Sequence, residues 1–390
     1  SLHQGRGMLE DSVKVDTGYV VHTVKGDYQL AADYADLSLA SLAKQNQDRF
    51  SSSYNPDIID TENYGLENCD MIENDFTGAY QSTAPLLEAQ QYIFTNKNSI
   101  ESIFELQYSS GEQENSAVNH LYGYSTGSHL EVSQDALGVC YGGWGNAKYD
   151  SRMWVGAQNL VTTSSSSSST ALSGYYCVKW QRPDVNWTGQ QTSREIKNVQ
   201  ISTNKWCNWI IYRMTDVMLM KAEALACIGG AANNTLAKNI VNAIHRRSFC
   251  NYNESKPVSP DLTSGSTNGN ATNNSDIVVM VLNERQIELL GEGKRWFDLV
   301  RYAERNSDSA SEAADEREAT EEKHVGNGQK GMIKMVDTFL RNAYSNYYTT
   351  LKNRFKNRYG LYSPIYYMDV KASDGKLHQN PVWNKSKYDQ

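Results

Sequence analysis

Between Asn283 and Tyr302 the chain reads NERQIELLGEGKRWFDLVRY, a stretch with helical spacing that is crowded with charge. At 3.6 residues per turn Val278, Leu282, Arg285 and Leu289 share one stripe, so Arg285 lies on the face expected to pack inward. A buried guanidinium has to be paired. Glu284, Glu288, Glu292 and Asp298 are the nearby carboxylates for Arg285, Arg295 and Arg301, and Gly291 and Gly293 let the backbone turn between two helical halves. The block is expected to be a self-satisfying ion network around Trp296, internal to a helical core. An ion-paired carboxylate has a depressed pKa and no spare proton to exchange, so the role expected for these acids is structural rather than catalytic.

The rest of the chain has helical ends and an irregular middle. From Ile210, apolar residues recur at Met214, Val217, Met218, Leu225 and Ile228, and Gly229 and Gly230 stop the run. Leu236, Ile240, Ala243 and Ile244 then repeat the spacing, which predicts a helical hairpin joined through GGAANN. Leu30, Tyr34 and Leu37 follow the same rule after Gly26 and Asp27. Such pairs cannot bury a face alone and must stack. The polar runs TTSSSSSST at 162–170 and PDLTSGSTNGNATNNSD at 260–276 read as surface loops, and the acidic stretch from Glu304 to Lys323 reads as a solvated excursion.

At the charged block the chain resembles the SusD/RagB family of outer-membrane nutrient-binding lipoproteins of Bacteroidetes. Glu284, Arg285, Glu288, Leu289, Glu292, Gly293, Arg295, Trp296, Asp298, Leu299 and Arg301 fit the pattern E-R-x-x-E-L-x-x-E-G-x-R-W-x-D-L-x-R. GDYQLAADYADLSL at 26–39, ESIFELQYSSG at 101–111, YRMTDVMLMKAEALA at 212–226 with VNAIHRRS at 241–248, and LYSPIYYMDV with LHQNPVW at 361–383 follow in the family's order. The resemblance implies a mainly α fold of stacked tetratricopeptide-like helical hairpins, with a loop-rich middle and few short strands. It implies one compact unit in three parts: 1–107, a helical part; 108–209, a loop-rich aromatic part that binds ligand; and 210–390, the hairpin, charged block and closing segment. It also implies a longer precursor anchored through a lipidated cysteine near its mature N-terminus; the first cysteine here is Cys69, so no residue is assigned that role.

Composition narrows the classes independently. A formal net charge of −8 disfavours nucleic acid and anionic lipid surfaces, which need a concentrated positive field. No apolar run approaches the roughly 20 residues of a membrane span. The six cysteines, Cys69, Cys140, Cys177, Cys207, Cys227 and Cys250, show no C-x-x-C spacing, so no zinc site is expected, and Cys227 reads as a small buried hydrophobe. Neither a Walker loop nor a dinucleotide fingerprint occurs, and no cofactor or metal is expected.

Function is expected in the middle, where Tyr and Trp stand among Gly, Ser and Asn without helical or strand period. The 25 Tyr against 8 Phe favour rings with a polar edge, and such rings suit pyranoses, which offer flat C–H faces and a rim of hydroxyls. YGGWGNAKYDSR at 141–152 is the leading site: Trp144 among three glycines, Tyr141, Asn146 and Tyr149, with Asp150 and Arg152 as further polar contacts. Tyr122, Tyr124, Trp154 and Trp180 complete the candidate ligand-binding set. Gly123-Tyr124-Ser125-Thr126-Gly127 fits the G-x-S-x-G nucleophile elbow, with His129 or His245 as conceivable bases, but the flanking sequence lacks the strand and helix an elbow needs. The expectation is therefore a non-catalytic receptor, without catalytic residues, that captures oligosaccharides, and the resemblance implies that it sits at the cell surface, in the outer membrane. The resemblance implies a SusC-like TonB-dependent transporter as the recipient. A peptide receptor of the same architecture and a helical-repeat scaffold for a partner protein are the alternatives.

Overall fold

The structure is a computed structural model and describes residues 11–15, 18–22, 26–49, 93–94, 97–109, 111–122, 130–133, 152, 160–163, 169–171, 176–177, 179–180, 184–187, 196–200, 207–248, 277–305, 336–337, 340–342, 344–356 and 358–379. In order, these form β1 (Asp11–Val15), β2 (Gly18–His22), α1 (Asp27–Arg49), β3 (Ser102–Leu106), α2 (Ser116–Tyr122), β4 (Leu160–Thr163), β5 (Ser169–Ala171), β6 (Asp184–Trp187), β7 (Ile196–Gln200), β8 (Trp209–Arg213), α3 (Met214–Ile228), α4 (Ala231–Ser248), α5 (Ile277–Glu288), α6 (Arg295–Arg305), α7 (Tyr348–Lys356) and α8 (Tyr367–Ala372). They fall into two compact units, one of Glu10–Lys294 and one of Arg295–Gln390 with Ser1–Leu9. The break lies inside the charged block, while β3 pairs with β8 across the whole segment between 107 and 209.

The first unit is mainly a stack of helices, as the apolar spacing predicts. Helix α3 lies at its centre and packs on α1, α4 and α5. Met218, Leu219 and Ala222 of α3, Ile240, Val241 and Ile244 of α4, and Val281 of α5 are fully buried in one cluster with Leu39 and Leu42 of α1. The hairpin turn is tighter than GGAANN suggests. Gly229 and Gly230, at φ 75° and 87°, make the whole connection, and α4 starts at Ala231. At the other end the helical reading from Ile210 fails, because 209–213 is strand β8 and α3 begins only at Met214, whose N–H bonds to the Glu101 carbonyl at 2.7 Å. On α1 the stripe is displaced as well. Tyr34 and Leu37 are 68% and 65% exposed, and Ala32, Ala35, Leu39 and Leu42 pack inward instead.

The described part of the middle holds short strands, as the resemblance implies. Strands β5, β4, β7 and β6 make a four-stranded sheet in that order, with β4 and β7 parallel and the other pairs antiparallel. Thr162 and Thr163 belong to β4, and Ser169 and Thr170 to β5, so the serine run begins and ends in paired strands rather than in loop. Strand pairing is carried by backbone N–H and C=O groups, which polar residues supply as well as apolar ones do.

In the second unit Leu299 and Ala303 of α6 are buried with Leu361, flanked by Val336 and Phe355. The two closing elements meet through one side chain. Gln379 accepts from the Ile365 N–H at 2.9 Å and donates to the Ile365 carbonyl at 2.7 Å, completing both backbone groups as a strand neighbour would.

Gly291 and Gly293 have φ 81° and 74°, the left-handed conformation that glycine adopts most readily. They differ in their surroundings: a Cβ on Gly291 would come within 2.6 Å of the Cys177 Sγ, whereas one on Gly293 meets nothing within 4 Å. Gly293→Ala should cost about 1 kcal/mol from backbone strain alone. Gly291→Ala should cost clearly more, and Cys177→Ala should recover part of the difference. Urea denaturation of the four proteins checks this; equal losses for the two glycine variants would refute it.

Candidate functional site

Four carboxylates and three cations from five stretches of chain meet inside the first unit. Arg213, at the end of β8, is 1% exposed and forms the hub. Its Nε and Nη2 donate to both oxygens of Glu292 at 2.9 and 2.8 Å, its Nη1 to Glu288 at 2.8 Å and to Glu101 at 3.4 Å, and its Nη2 also to the Glu288 carbonyl at 3.0 Å. Lys179 reaches Glu292 at 2.9 Å and the Glu288 carbonyl at 2.7 Å. Arg152 bridges Glu284 and the second oxygen of Glu288, the latter at 3.2 Å. His245 lies behind Glu284 at 3.6 Å. A separate knot holds Asp216 between Arg285 at 3.0 Å and Lys294 at 3.1 Å.

The network is thus buried and structural, but it is not self-satisfying. Glu284, Glu288 and Glu292 take their cations from Arg152, Lys179 and Arg213, all outside the block, and Arg285 takes its carboxylate from Asp216. Within α6, Arg301 pairs with Asp298 at 2.6 Å, and Arg295 opens that helix half-buried. Trp296 is not enclosed by the ions; it is 38% exposed and packs against Phe355 at 5.6 Å. Sequence reasoning missed Arg213, Lys179, Glu101 and Asp216. The signal was there in part, since Arg213 ends the apolar run WIIYR and Lys179 stands between Val178 and Trp180.

Burial opposes the charged form of Glu284, Glu292 and Asp216, yet their cationic neighbours outweigh it and hold all three below the usual carboxylate range. For Glu284 the cation is Arg152, for Glu292 they are Arg213 and Lys179, and for Asp216 Arg285 and Lys294. Burial pushes the Cys177 thiol up, and the Cys207 thiol up to about 11, so both stay protonated and unreactive at neutral pH. Cys177 and Cys207 are free thiols, and Cys227 is half-buried rather than fully enclosed.

Of the candidate ligand-binding residues, Tyr141, Trp144, Asn146, Tyr149, Tyr124 and Trp154 lie outside the described residues. Tyr122 and Trp180 are core. They are 4% and 1% exposed, and Trp180 stacks on Trp209 at 4.8 Å, meets Phe94 edge-on at 5.0 Å and lies 6.4 Å from Tyr122. The Tyr122 hydroxyl donates to the Gly291 carbonyl. The two rings lack a local period because their partners come from four distant segments, so the missing period did not mean exposure. Arg152, expected to face ligand, is wholly buried against Glu284. Among the described aromatics of this unit, Phe104 and its cross-strand partner Tyr212 are open to solvent, with Lys294 4.4 Å above the Tyr212 ring.

The stretch 123–129, with the G-x-S-x-G match and His129, also lies outside the described residues. It is entered from helix α2 rather than from the strand an elbow requires, and His245 is buried at Glu284. Among the described residues no group of His, Cys, Asp and Glu is placed to hold a metal, and no helix is long and apolar enough to cross a membrane.

Stacked helical hairpins locked by a buried ion hub make the tetratricopeptide-like body implied by the sequence. The chain belongs to the SusD family, whose pattern matches residues 92–383. It is similar to the SusD-like protein P38 of Formosa agariphila, at 36% identity over 94 residues, which is 24% of this chain and 17% of that protein. Among solved structures it is similar to a SusD superfamily protein from Bacteroides vulgatus, at 18% identity and TM-score 0.44 over 97% of this chain and 62% of that one. It is also similar to NanU of B. fragilis, at 14% identity and TM-score 0.40 over 91% and 63% of the two chains. The chain spans less than two thirds of the length of these solved proteins.

Removing Arg213 leaves three buried carboxylates short of a partner. Arg213→Met should lower stability by about 3–5 kcal/mol, read from urea denaturation, and a loss under 1 kcal/mol would rule out the hub as described. Because Glu284, Glu292 and Asp216 titrate lower folded than unfolded, the unfolded chain binds more protons in acid. The stability they confer is complete above the unfolded carboxylate values of about 4 and drains away as pH falls through the folded ones. The urea midpoint should therefore be level from pH 7 to 5 and drop steeply below about pH 4; a midpoint unchanged at pH 3 would contradict this.

Proposed function

We propose that this protein is a non-catalytic receptor that captures oligosaccharides at the cell surface and passes them to a SusC-like TonB-dependent outer-membrane transporter. Membership of the SusD family over residues 92–383 is the observation that carries the proposal. The hub supports it from the other side. Glu284 and Glu292, clustered acids that could have served as a general acid and base, are buried and salt-bridged, and their partners hold them below the usual carboxylate range, which leaves them no exchangeable proton near pH 7. Ligand chemistry then falls to the rings and amides of 141–154, with Trp144, Tyr141, Asn146, Tyr149 and Trp154 as contacts and Tyr124 beside them. Tyr and Trp there would stack on sugar faces while Asn146 bonds hydroxyls. Tyr122 and Trp180 are not included, because both are enclosed in the core.

The test is a fluorescence titration of wild type and Trp144→Ala with a panel of soluble polysaccharides and, in parallel, a peptide digest. A saturable shift in the tryptophan signal is expected with at least one polysaccharide, weakened tenfold or more in Trp144→Ala. A response to peptides alone would replace the glycan with a peptide ligand, and hydrolysis of a panel member abolished by Ser125→Ala would make the protein an enzyme.

A further inference from the structure

The second unit carries a charged cluster of a different kind. Between 336 and 358 the sequence holds five cations, Arg341, Lys352, Arg354, Lys356 and Arg358, against a single acid, Asp337, in a chain whose net charge is −8. Both oxygens of that acid are engaged. Oδ2 accepts from the Arg341 Nε at 2.6 Å, while Oδ1 accepts from the Tyr348 hydroxyl and lies 3.6 Å from the Lys352 Nζ. Lys352 also donates to the Tyr348 hydroxyl at 3.1 Å, and the Arg341 guanidinium is held 4.6 Å from the centre of the Tyr348 ring. The Tyr348 hydroxyl and Arg341 hold the Asp337 carboxyl down to about 2, so it is charged at neutral pH.

Two cations on one carboxylate leave one positive charge in excess. An exposed ion pair adds little stability, so the arrangement is better understood by what it fixes, which is the orientation of Arg341. That side chain is 58% exposed and spends its Nε on Asp337; among the described residues nothing bonds its Nη1 or Nη2. A guanidinium held over a ring and tied at Nε keeps its outer edge of parallel N–H groups for a ligand, and that edge matches a carboxylate in bidentate fashion. Two exposed rings follow on the next turns. The Tyr344 N–H bonds the Leu340 carbonyl at 3.1 Å and the Tyr347 N–H the Tyr344 carbonyl at 2.8 Å, which keeps both tyrosines close to Arg341. Rings with a polar edge suit the faces and hydroxyls of a pyranose.

We propose that Arg341, oriented by Asp337 and Tyr348 and seconded by Lys352, binds the carboxylate of a uronic acid unit in an acidic polysaccharide, with Tyr344 and Tyr347 against the sugar. This is a second site, in the second unit, and goes beyond capture at 141–154; only the sugar that bears the carboxylate rests on that reading. Because the site is oriented before ligand arrives, little side-chain freedom is lost on binding.

Wild type, Arg341→Lys, Arg341→Gln, Lys352→Gln, Trp144→Ala and Lys44→Gln test it, the last removing an exposed cation of α1 as the charge control. Each is titrated calorimetrically, in about 0.15 M NaCl to screen diffuse attraction, with polygalacturonate, alginate, κ-carrageenan, pullulan and poly-glutamate. Wild type should bind polygalacturonate or alginate. Both Arg341 variants should raise that Kd tenfold or more and Lys352→Gln threefold or more, with Lys44→Gln near wild type and all melting temperatures kept. Arg341→Lys is decisive, since it keeps the charge and loses the fork: an unchanged Kd would reduce the site to a diffuse positive field and overturn it. Equal weakening by Lys44→Gln would do the same. If an Arg341 variant melts early, Lys352→Gln carries the test, and an unchanged Kd there overturns the site. Tighter binding of κ-carrageenan than of either uronate polymer would overturn the carboxylate, and binding of poly-glutamate alone would overturn the sugar. Pullulan bound without either uronate polymer sinks this site and leaves the capture reading standing. Uronate binding that depends on Arg341 but not on Trp144 supports this site while the reading at 141–154 fails. Binding of none of the five overturns the proposal outright.

Discussion

A buried guanidinium is the constraint on which the first unit depends. Arg213 is enclosed with Glu101, Glu288 and Glu292, and each of its nitrogens is used. Such clusters add little net stability compared with apolar packing of the same volume, but separating their members inside a low-dielectric interior is very costly. The cluster therefore selects an arrangement more than it stabilises one. It dictates that the start of β3, the end of β8, the end of α5, Arg152 and Lys179 come together.

The hub also joins two kinds of core. On one side α1, α3, α4 and α5 bury an aliphatic cluster. On the other, Phe94 lies 5.2 Å from Lys179 and 5.5 Å from Arg213, and leads into the stack of Tyr122, Trp180 and Trp209. The ring face of Phe94 offers the cations a partner that excludes water, which strengthens the ion pairs beside it. The charged residues of the hub are thereby taken up with one another.

Legibility followed the range of the interactions. Helices α3 and α4 were readable because their buried residues repeat every three or four positions, and Gly229 and Gly230 mark the turn. The stripe on α1 was misread because Ala32 and Ala35, small residues allowing close approach to α3, outweigh the larger Tyr34 and Leu37. Tyr122 and Trp180 were misassigned for the opposite reason: their ring partners come from segments far away in sequence. The ends of the serine run became strand because their partners, not their side chains, decide it.

By itself, then, the sequence determined the local and the obligatory: helical hairpins from apolar period, a turn at Gly291 and Gly293, a buried charge that had to be neutralised, and a family pattern spread along the chain. Only the tertiary structure decided which charges neutralise which. Opposite charges attract without regard to sequence separation, so Arg285 found Asp216, and Glu284, Glu288 and Glu292 found Arg152, Lys179 and Arg213. The same indifference to separation turned two rings expected at a ligand into the centre of a core.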